Sequence, residues 1–120
     1  MTTWLPKSKR ARSAKYRNKK TERDGIVFDS KREAERYGQL KLLERAGKIH
    51  GLALQPSFTL VDSRRNAFGK VERAVVYIAD FLYFEGDSRV VEDAKGVRTP
   101  DYVIKRKLML DRHGITVKEV

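Results

Sequence analysis

The sequence predicts an α+β protein, and three observations carry that prediction. Two stretches rich in good helix formers, about Ser30–Ala46 and Pro100–Arg112, each begin at a capping residue and stop at a glycine. Three runs of β-branched and aromatic residues, Leu52–Val61, Val71–Phe84 and Arg89–Lys95, lie between them. A last apolar run, Ile115–Val117, follows the second helix. The expected order is therefore helix, three strands, helix, strand. At 120 residues the chain has room for one modest core without disulfides or structural metal.

Residues 1–22 are set apart by composition. Lys7, Lys9, Arg10, Arg12, Lys15, Arg17, Lys19 and Lys20 crowd the first twenty positions without a single acid, and no apolar periodicity accompanies them. Such a stretch reads as a disordered arm whose cations track phosphates, or as a plain solvated tail. Residues 23–120 then form the single folded domain.

Within it, Gly25–Phe28 is an extended lead-in. Asp29 or Ser30 caps the first helix, with Glu33 in its first turn, and the helix ends at Gly47. Ala34, Tyr37, Gly38 and Leu42 are expected to form its apolar stripe, widened by Leu40 and Leu43. Pro56 cannot donate to a ladder, so the strand around it belongs at an edge or carries a bulge. Asp62–Lys70 reads as a polar hairpin tip, where Arg64 and Arg65 could meet a DNA backbone or simply face water. Thr99 caps the second helix, with Pro100 at its first position and Gly114 beyond its end. Tyr102, Val103, Leu108, Met109 and Leu110 are assigned inward; Lys105, Arg106 and Lys107 are assigned partly outward.

Charge narrows the function. Lys and Arg outnumber Asp and Glu 27 to 16, a formal net charge of +11, which favours a polyanionic partner and above all nucleic acid. Cysteine is absent, which excludes a thiolate zinc site, and the two histidines, His50 and His113, are too few and too far apart to suggest a histidine metal site or triad. No apolar run nears the ~20 residues of a membrane span, and no secretory signal pattern is evident. The expected location is the cytoplasm.

The stretch Val75–Lys95, VVYIADFLYFEGDSRVVEDAK, holds the most telling chemistry. Two apolar runs flank the turn Glu85-Gly86-Asp87-Ser88, yet Asp80 interrupts the first and Asp93 and Lys95 end the second. Residues two apart on a strand share a face, so Asp93 and Lys95 project together and Glu92 points away. Two carboxylates, Asp80 and Asp93, with the Ala94 carbonyl, are hard oxygen donors of the kind Mg²⁺ takes. Lys95 beside them could orient water or stabilise charge on a phosphoryl group. The plainer alternative is an edge-strand aspartate and a surface ion pair worth little to stability. For Glu33 the plainer alternative is a first-turn acid favoured by the helix dipole.

These residues carry a resemblance. The element order with Asp80…Asp93-Ala94-Lys95 resembles the PD-(D/E)XK nuclease superfamily. FDSKREAERY (Phe28–Tyr37), LQPSF (Leu54–Phe58), IADF (Ile78–Phe81) and VEDAKG (Val91–Gly96) resemble a small phage- and prophage-borne family within it. The arrangement is also similar to phage endonuclease I, a Holliday junction resolvase. The resemblance covers about residues 23–118, with Ala79 where the motif name has proline and Asp93 where glutamate is more frequent. It implies a restriction-endonuclease-like αβββαβ core, with a central mixed four-stranded sheet flanked by helices. It further implies a site of Glu33, Asp80, Asp93 and Lys95, in which Glu33 acts on the metal through water. Mg²⁺ is the implied cofactor, with Mn²⁺ able to substitute. Branched duplex DNA is the implied substrate, a homodimer the implied assembly, and the bacterial host cytoplasm the setting of a phage enzyme. Gln55 and Gly96 also match, without an assigned role.

The alternatives are a nicking or end-cleaving nuclease of replication, packaging or transposition, and a non-catalytic basic DNA-binding protein using the arm, Lys105 and Arg106. An RNA-binding protein of ribosomal type fits the charge but would call for exposed aromatic platforms.

Overall fold

Asp24 and Gly25, at φ of 54° and 78°, turn the chain between two short antiparallel strands, β1 (Thr21–Arg23) and β2 (Ile26–Phe28). Two left-handed residues in a two-residue turn match the twist of the flanking strands. This is seen in a computed structural model that describes residues 19–120. Composition alone places Thr21 and Glu22 in the arm, whereas here they begin β1. Lys7, Lys9, Arg10, Arg12, Lys15 and Arg17, and with them the arm expected to be disordered, lie outside the described residues. The described residues fall in two compact units that divide between Gly38 and Gln39, and helix α1 (Lys31–Arg45) spans that division.

In the first unit, Ser30 Oγ accepts the Glu33 N–H at 3.1 Å and so caps α1. The Phe28 and Tyr37 rings lie 5.1 Å apart, and Ala34 is buried near them in sequence. Gly38 faces the Arg23 guanidinium so closely that a Cβ would stand 2.4 Å from its Cζ.

In the second unit, α1 ends where Gly47, at φ 76°, donates to Glu44 O at 3.0 Å and Lys48 donates to Leu43 O at 2.9 Å. Those paired returns satisfy carbonyls the helix would otherwise leave open. The expected stripe is corrected at its C-terminal end: Leu40 is fully buried, whereas Leu42 is 62% exposed and Leu43 is exposed. Burial follows Ala34, Tyr37 and Leu40, three residues apart, and leaves Leu42 on another face.

The run Leu52–Val61 is two strands rather than one. β3 (His50–Leu54) and β4 (Ser57–Val61) join different sheets, and Gln55, at φ 52°, makes the break with Pro56. The expected hairpin tip is present: β5 (Arg64–Arg65) pairs antiparallel with β6 (Val71–Glu72). Val71–Phe84 likewise divides into β6, β7 (Val75–Ile78) and β8 (Phe81–Glu85). β7 pairs antiparallel with β4; β8 pairs antiparallel with both β3 and β9 (Ser88–Asp93), through the turn at Gly86-Asp87. The chain thus changes sheet at Ala79-Asp80. Nonlocal pairing forces this break, since Ala79 N donates to Pro56 O at 3.1 Å and Asp80 N to Glu92 O at 3.1 Å.

Helix α2 (Pro100–His113) begins and ends as expected. Thr99 Oγ1 accepts the Tyr102 N–H at 3.3 Å, and Gly114 closes the helix at φ 67° with its N–H returned to Leu110 O. Leu110 is corrected outward: Tyr102 and Met109 are buried, but Leu110 is exposed. After α2 the ladder forms at β10 (Lys118–Glu119), just beyond the expected run, while Ile115 and Val117 turn into the core. β10 runs parallel to β9, so β3, β8, β9 and β10 form a four-stranded mixed sheet in the order β10-β9-β8-β3. Leu60, Tyr77, Ala79, Val91, Tyr102, Met109, Ile115 and Val117 make the buried cluster that fixes β4, β7, β9 and α2 together. Among the described residues the fold is α+β, with two helices and a mixed four-stranded sheet. No helix among the described residues is long and apolar enough to cross a membrane.

Candidate functional site

The change of sheet brings the two aspartates of interest together. Asp80 donates its N–H to Glu92 O and accepts the Gln55 N–H at 2.9 Å, which holds its backbone against the end of β9. Its carboxylate Oδ2 accepts the Ala94 N–H at 2.7 Å, so the group lies against the Asp93-Ala94 peptide.

Asp93 is 4% exposed. Its Oδ2 accepts the Tyr77 hydroxyl, and its Oδ1 faces Lys95 Nζ at 3.4 Å. The two residues share a face, as strand parity predicts. The Lys95 side chain is 28% exposed, and its Nζ sits 4.3 Å from the centre of the Tyr102 ring, within cation–π range. This is therefore not a surface ion pair: one partner is buried and the other is pinned over an aromatic ring. Tyr102 in turn donates to Glu119 Oε2 at 2.8 Å, and Glu119 also takes Arg98 Nε at 2.6 Å and Arg106 at 3.0 Å.

Glu92, fully buried, takes no part in that pair. It accepts the Tyr83 hydroxyl and has Lys118 Nζ at 4.0 Å.

Electrostatics follow from these contacts. Burial first, then the hydrogen bond to Asp93 and its charge, push the Tyr77 hydroxyl well above the ordinary tyrosine range. Burial and then Glu119 push Tyr102 up in the same way. The Tyr102 hydroxyl, ahead of Arg98 and Arg106, holds the Glu119 carboxyl down at about 2.

Mg²⁺ is commonly held by one or two carboxylates together with water and substrate phosphate. Asp80, Asp93 and the Ala94 carbonyl supply such oxygens, and ligating carboxylates are usually hydrogen-bonded in turn, as the Tyr77 hydroxyl and the Ala94 N–H do here. These oxygens are of the type the ion takes. Among the described residues no three His, Cys, Asp or Glu side chains are grouped to hold a metal. Glu33 lies in the first turn of α1, in the first unit; Asp80, Asp93 and Lys95 lie wholly in the second.

A family model described as "Protein of unknown function (DUF1064)" matches residues 13–118, nearly the whole chain. The chain belongs to that family. The span of the DUF1064 model includes Glu33, Asp80, Asp93 and Lys95, and stops one residue before Glu119. No curated protein and no solved structure matches the chain.

Tyr77, Tyr102, Glu119 and the backbone of Gln55 were not legible as site residues. One signal was available for the tyrosines: a buried phenol needs a polar partner, and Tyr77 sits three residues before an aspartate in an apolar run. Beside Lys95 opens a cleft of about 280 Å³, walled by Val76, Tyr77, Ile78, Tyr102 and Lys105 among others. The remaining basic candidates divide. Lys19, Arg64 and Arg65 are exposed, although Arg65 also braces the Gly69 carbonyl at 2.7 Å. Lys20 faces Asp29 at 3.2 Å, and Arg106 is engaged by Glu119, so Arg106 serves the fold first.

Proposed function

We propose that this DUF1064 chain is a metal-dependent DNA endonuclease that hydrolyses phosphodiester bonds, acting on branched or junction DNA. The observation that carries the reading is the Asp93–Lys95 pair, buried on one side and held beside the Asp80 carboxylate. A protein that only binds phosphates has no use for two acids so placed, since they repel the backbone it must approach.

In this reading Asp80, Asp93 and the Ala94 carbonyl would hold Mg²⁺. When bound, the ion would polarise the scissile phosphate and make a water nucleophilic at neutral pH. Tyr77 fixes the rotamer of Asp93 by donating to Oδ2. Lys95, steadied by Asp93 and the Tyr102 ring, presents a cation to the non-bridging oxygens as charge develops on them and orients the attacking water. Glu33 enters through the resemblance alone. Junction cleavage needs paired incisions, which favours a homodimer, and an enzyme working on phage or host DNA would act in the bacterial cytoplasm.

The test is a cleavage panel of linear duplex, single-stranded, flap and four-way junction DNA with Mg²⁺, Mn²⁺ or EDTA. Asp80→Asn, Lys95→Ala and Glu33→Gln are run beside the wild type. Cleavage should require metal and fall at least a hundredfold in Asp80→Asn and Lys95→Ala, on the order of what one electrostatic catalytic group supplies. If no substrate is cut, or if both variants cut like wild type, the reading is wrong. An unchanged Glu33→Gln would remove only Glu33 from the site.

A further inference from the structure

Phe68, at the tip of the β5–β6 hairpin, is 89% exposed. The tip that carries it is closely built. Asn66 Oδ1 accepts the Phe68 N–H at 2.9 Å and the Lys70 N–H at 3.0 Å, and Asn66 N donates to Lys70 O at 2.7 Å. Gly69, at φ 80°, donates to Asn66 O at 3.0 Å and receives the Arg65 guanidinium on its carbonyl. Asn66 Nδ2 ties the tip to Glu72 at 3.0 Å. A backbone held by this many bonds fixes where the Phe68 side chain leaves the tip, although standing that ring in water is unfavourable.

The surroundings decide what the ring is presented to. Arg64, Arg65, Lys70 and Arg73 are all exposed on the hairpin and its exit. Its two acids are engaged: Asp62 by Arg112 at 2.9 Å, and Glu72 by Asn66. A second copy docked ring to ring would bring like charges together. A lipid surface rewards apolar area as well as cations, and apart from Val71 on β6 the hairpin exposes only this one large apolar group. Nucleic acid offers phosphates for the cations and flat base faces for the ring.

We propose that Phe68 is a base-stacking contact for DNA, set by its basic hairpin against a base that is already unstacked, as at a single strand, gap or branch. Opening a step inside an intact duplex costs more than one ring returns, so the contact discriminates in favour of interrupted DNA. The inference deepens the nuclease reading and rests on DNA being the partner, but not on cleavage.

The test is therefore made in EDTA. Wild type, Phe68→Ala and Phe68→Trp are titrated against DNA with 2-aminopurine at an unpaired position, and against the matched full duplex. Phe68→Ala should bind the interrupted DNA about tenfold more weakly, lose the 2-aminopurine quench, and bind duplex nearly as wild type does; Phe68→Trp should restore both. Full quenching and affinity in Phe68→Ala would overturn the proposal. So would a Phe68-dependent change in sedimentation, or Phe68-dependent binding to phosphatidylserine vesicles, with DNA affinity unaltered. DNA binding indifferent to Phe68, with metal-dependent cleavage intact, would sink this inference alone. Phe68-dependent binding without any cleavage would sink the nuclease reading alone, and no DNA binding at all would sink both.

Discussion

Asp93 keeps a carboxylate almost out of water, which is tolerable only because each of its oxygens has a partner. Tyr77 and Lys95 therefore do different work on one residue: the phenol fixes orientation and the ammonium supplies charge. Tyr77→Phe removes the first and leaves the second. If the chain is the metal-dependent nuclease proposed, cleavage, or metal affinity read by Mg²⁺ titration, should fall about 10- to 100-fold; stability should fall by about 1–3 kcal/mol in any case, since Oδ2 loses its donor while buried. Unchanged kinetics across the titration would show that Tyr77 serves packing alone. Tyr102 separates in the same way. Tyr102→Phe keeps the ring under Lys95 and loses the bond to Glu119; Tyr102→Leu loses both. If the ring positions Lys95, Leu lowers cleavage several-fold more than Phe does, in line with a cation–π contact of about 0.5–2 kcal/mol. Equal loss in the two variants would assign the effect to Glu119 instead.

Among elements, the most informative is β10, only two residues long. Glu119 ties it to α2 through Tyr102 and Arg106, and to the preceding loop through Arg98. Its carboxyl sits at about 2 in the fold against 4.5 for an ordinary glutamate. A depressed carboxyl stabilises the fold fully above the ordinary value and loses that contribution as pH falls from about 4.5 toward 2. Thermal midpoints of wild type and Glu119→Gln should differ most near neutral pH and converge through that window. A constant difference down to pH 2 would contradict the assignment. Gly38 offers a second element-level prediction. The atoms nearest a methyl there belong to the end of the flexible Arg23 side chain, while glycine inside a helix costs about 1 kcal/mol against alanine. Gly38→Ala should therefore raise stability by up to about 1 kcal/mol in denaturant titration; a loss would mean that the Arg23 placement matters to the fold. The same scale shows what the chain reveals locally. Ser30, Gly47, Thr99, Pro100 and Gly114 act on their own neighbours, so both helix ends were legible. Pro56 was legible as a breaker, but the assignment of β3 and β4 to separate sheets depends on Asp80 and Glu92, far along the chain. The Asp93–Lys95 face followed from strand parity. Tyr77 and Tyr102 did not, because their partners come from other strands and helices, and by pattern they read simply as core.

At the scale of the whole molecule, the charge of +11 is distributed unevenly. Lys7, Lys9, Arg10, Arg12, Lys15 and Arg17 precede the described residues, while several later cations are engaged internally, among them Arg98 and Arg106 with Glu119 and Arg112 with Asp62. If DNA is the partner, much of the charge available for long-range attraction belongs to the first eighteen residues. Each phosphate neutralised adds about 0.9 to the slope of log affinity against log salt on duplex DNA. Removing residues 1–18 should therefore flatten that slope by several units, weaken binding at low salt, and leave the metal-dependent rate at saturating DNA nearly unchanged. The measurement is anisotropy of labelled DNA at several salt concentrations, paired with single-turnover cleavage at saturation. A slope and low-salt affinity equal to those of the full chain would place the phosphate contacts within residues 19–120, with Arg64, Lys70, Arg73 and Lys105 the next residues to neutralise. A flattened slope with a lost single-turnover rate would mean instead that the arm helps to position the scissile phosphate, and would move part of the site outside the Asp80–Asp93–Lys95 cluster.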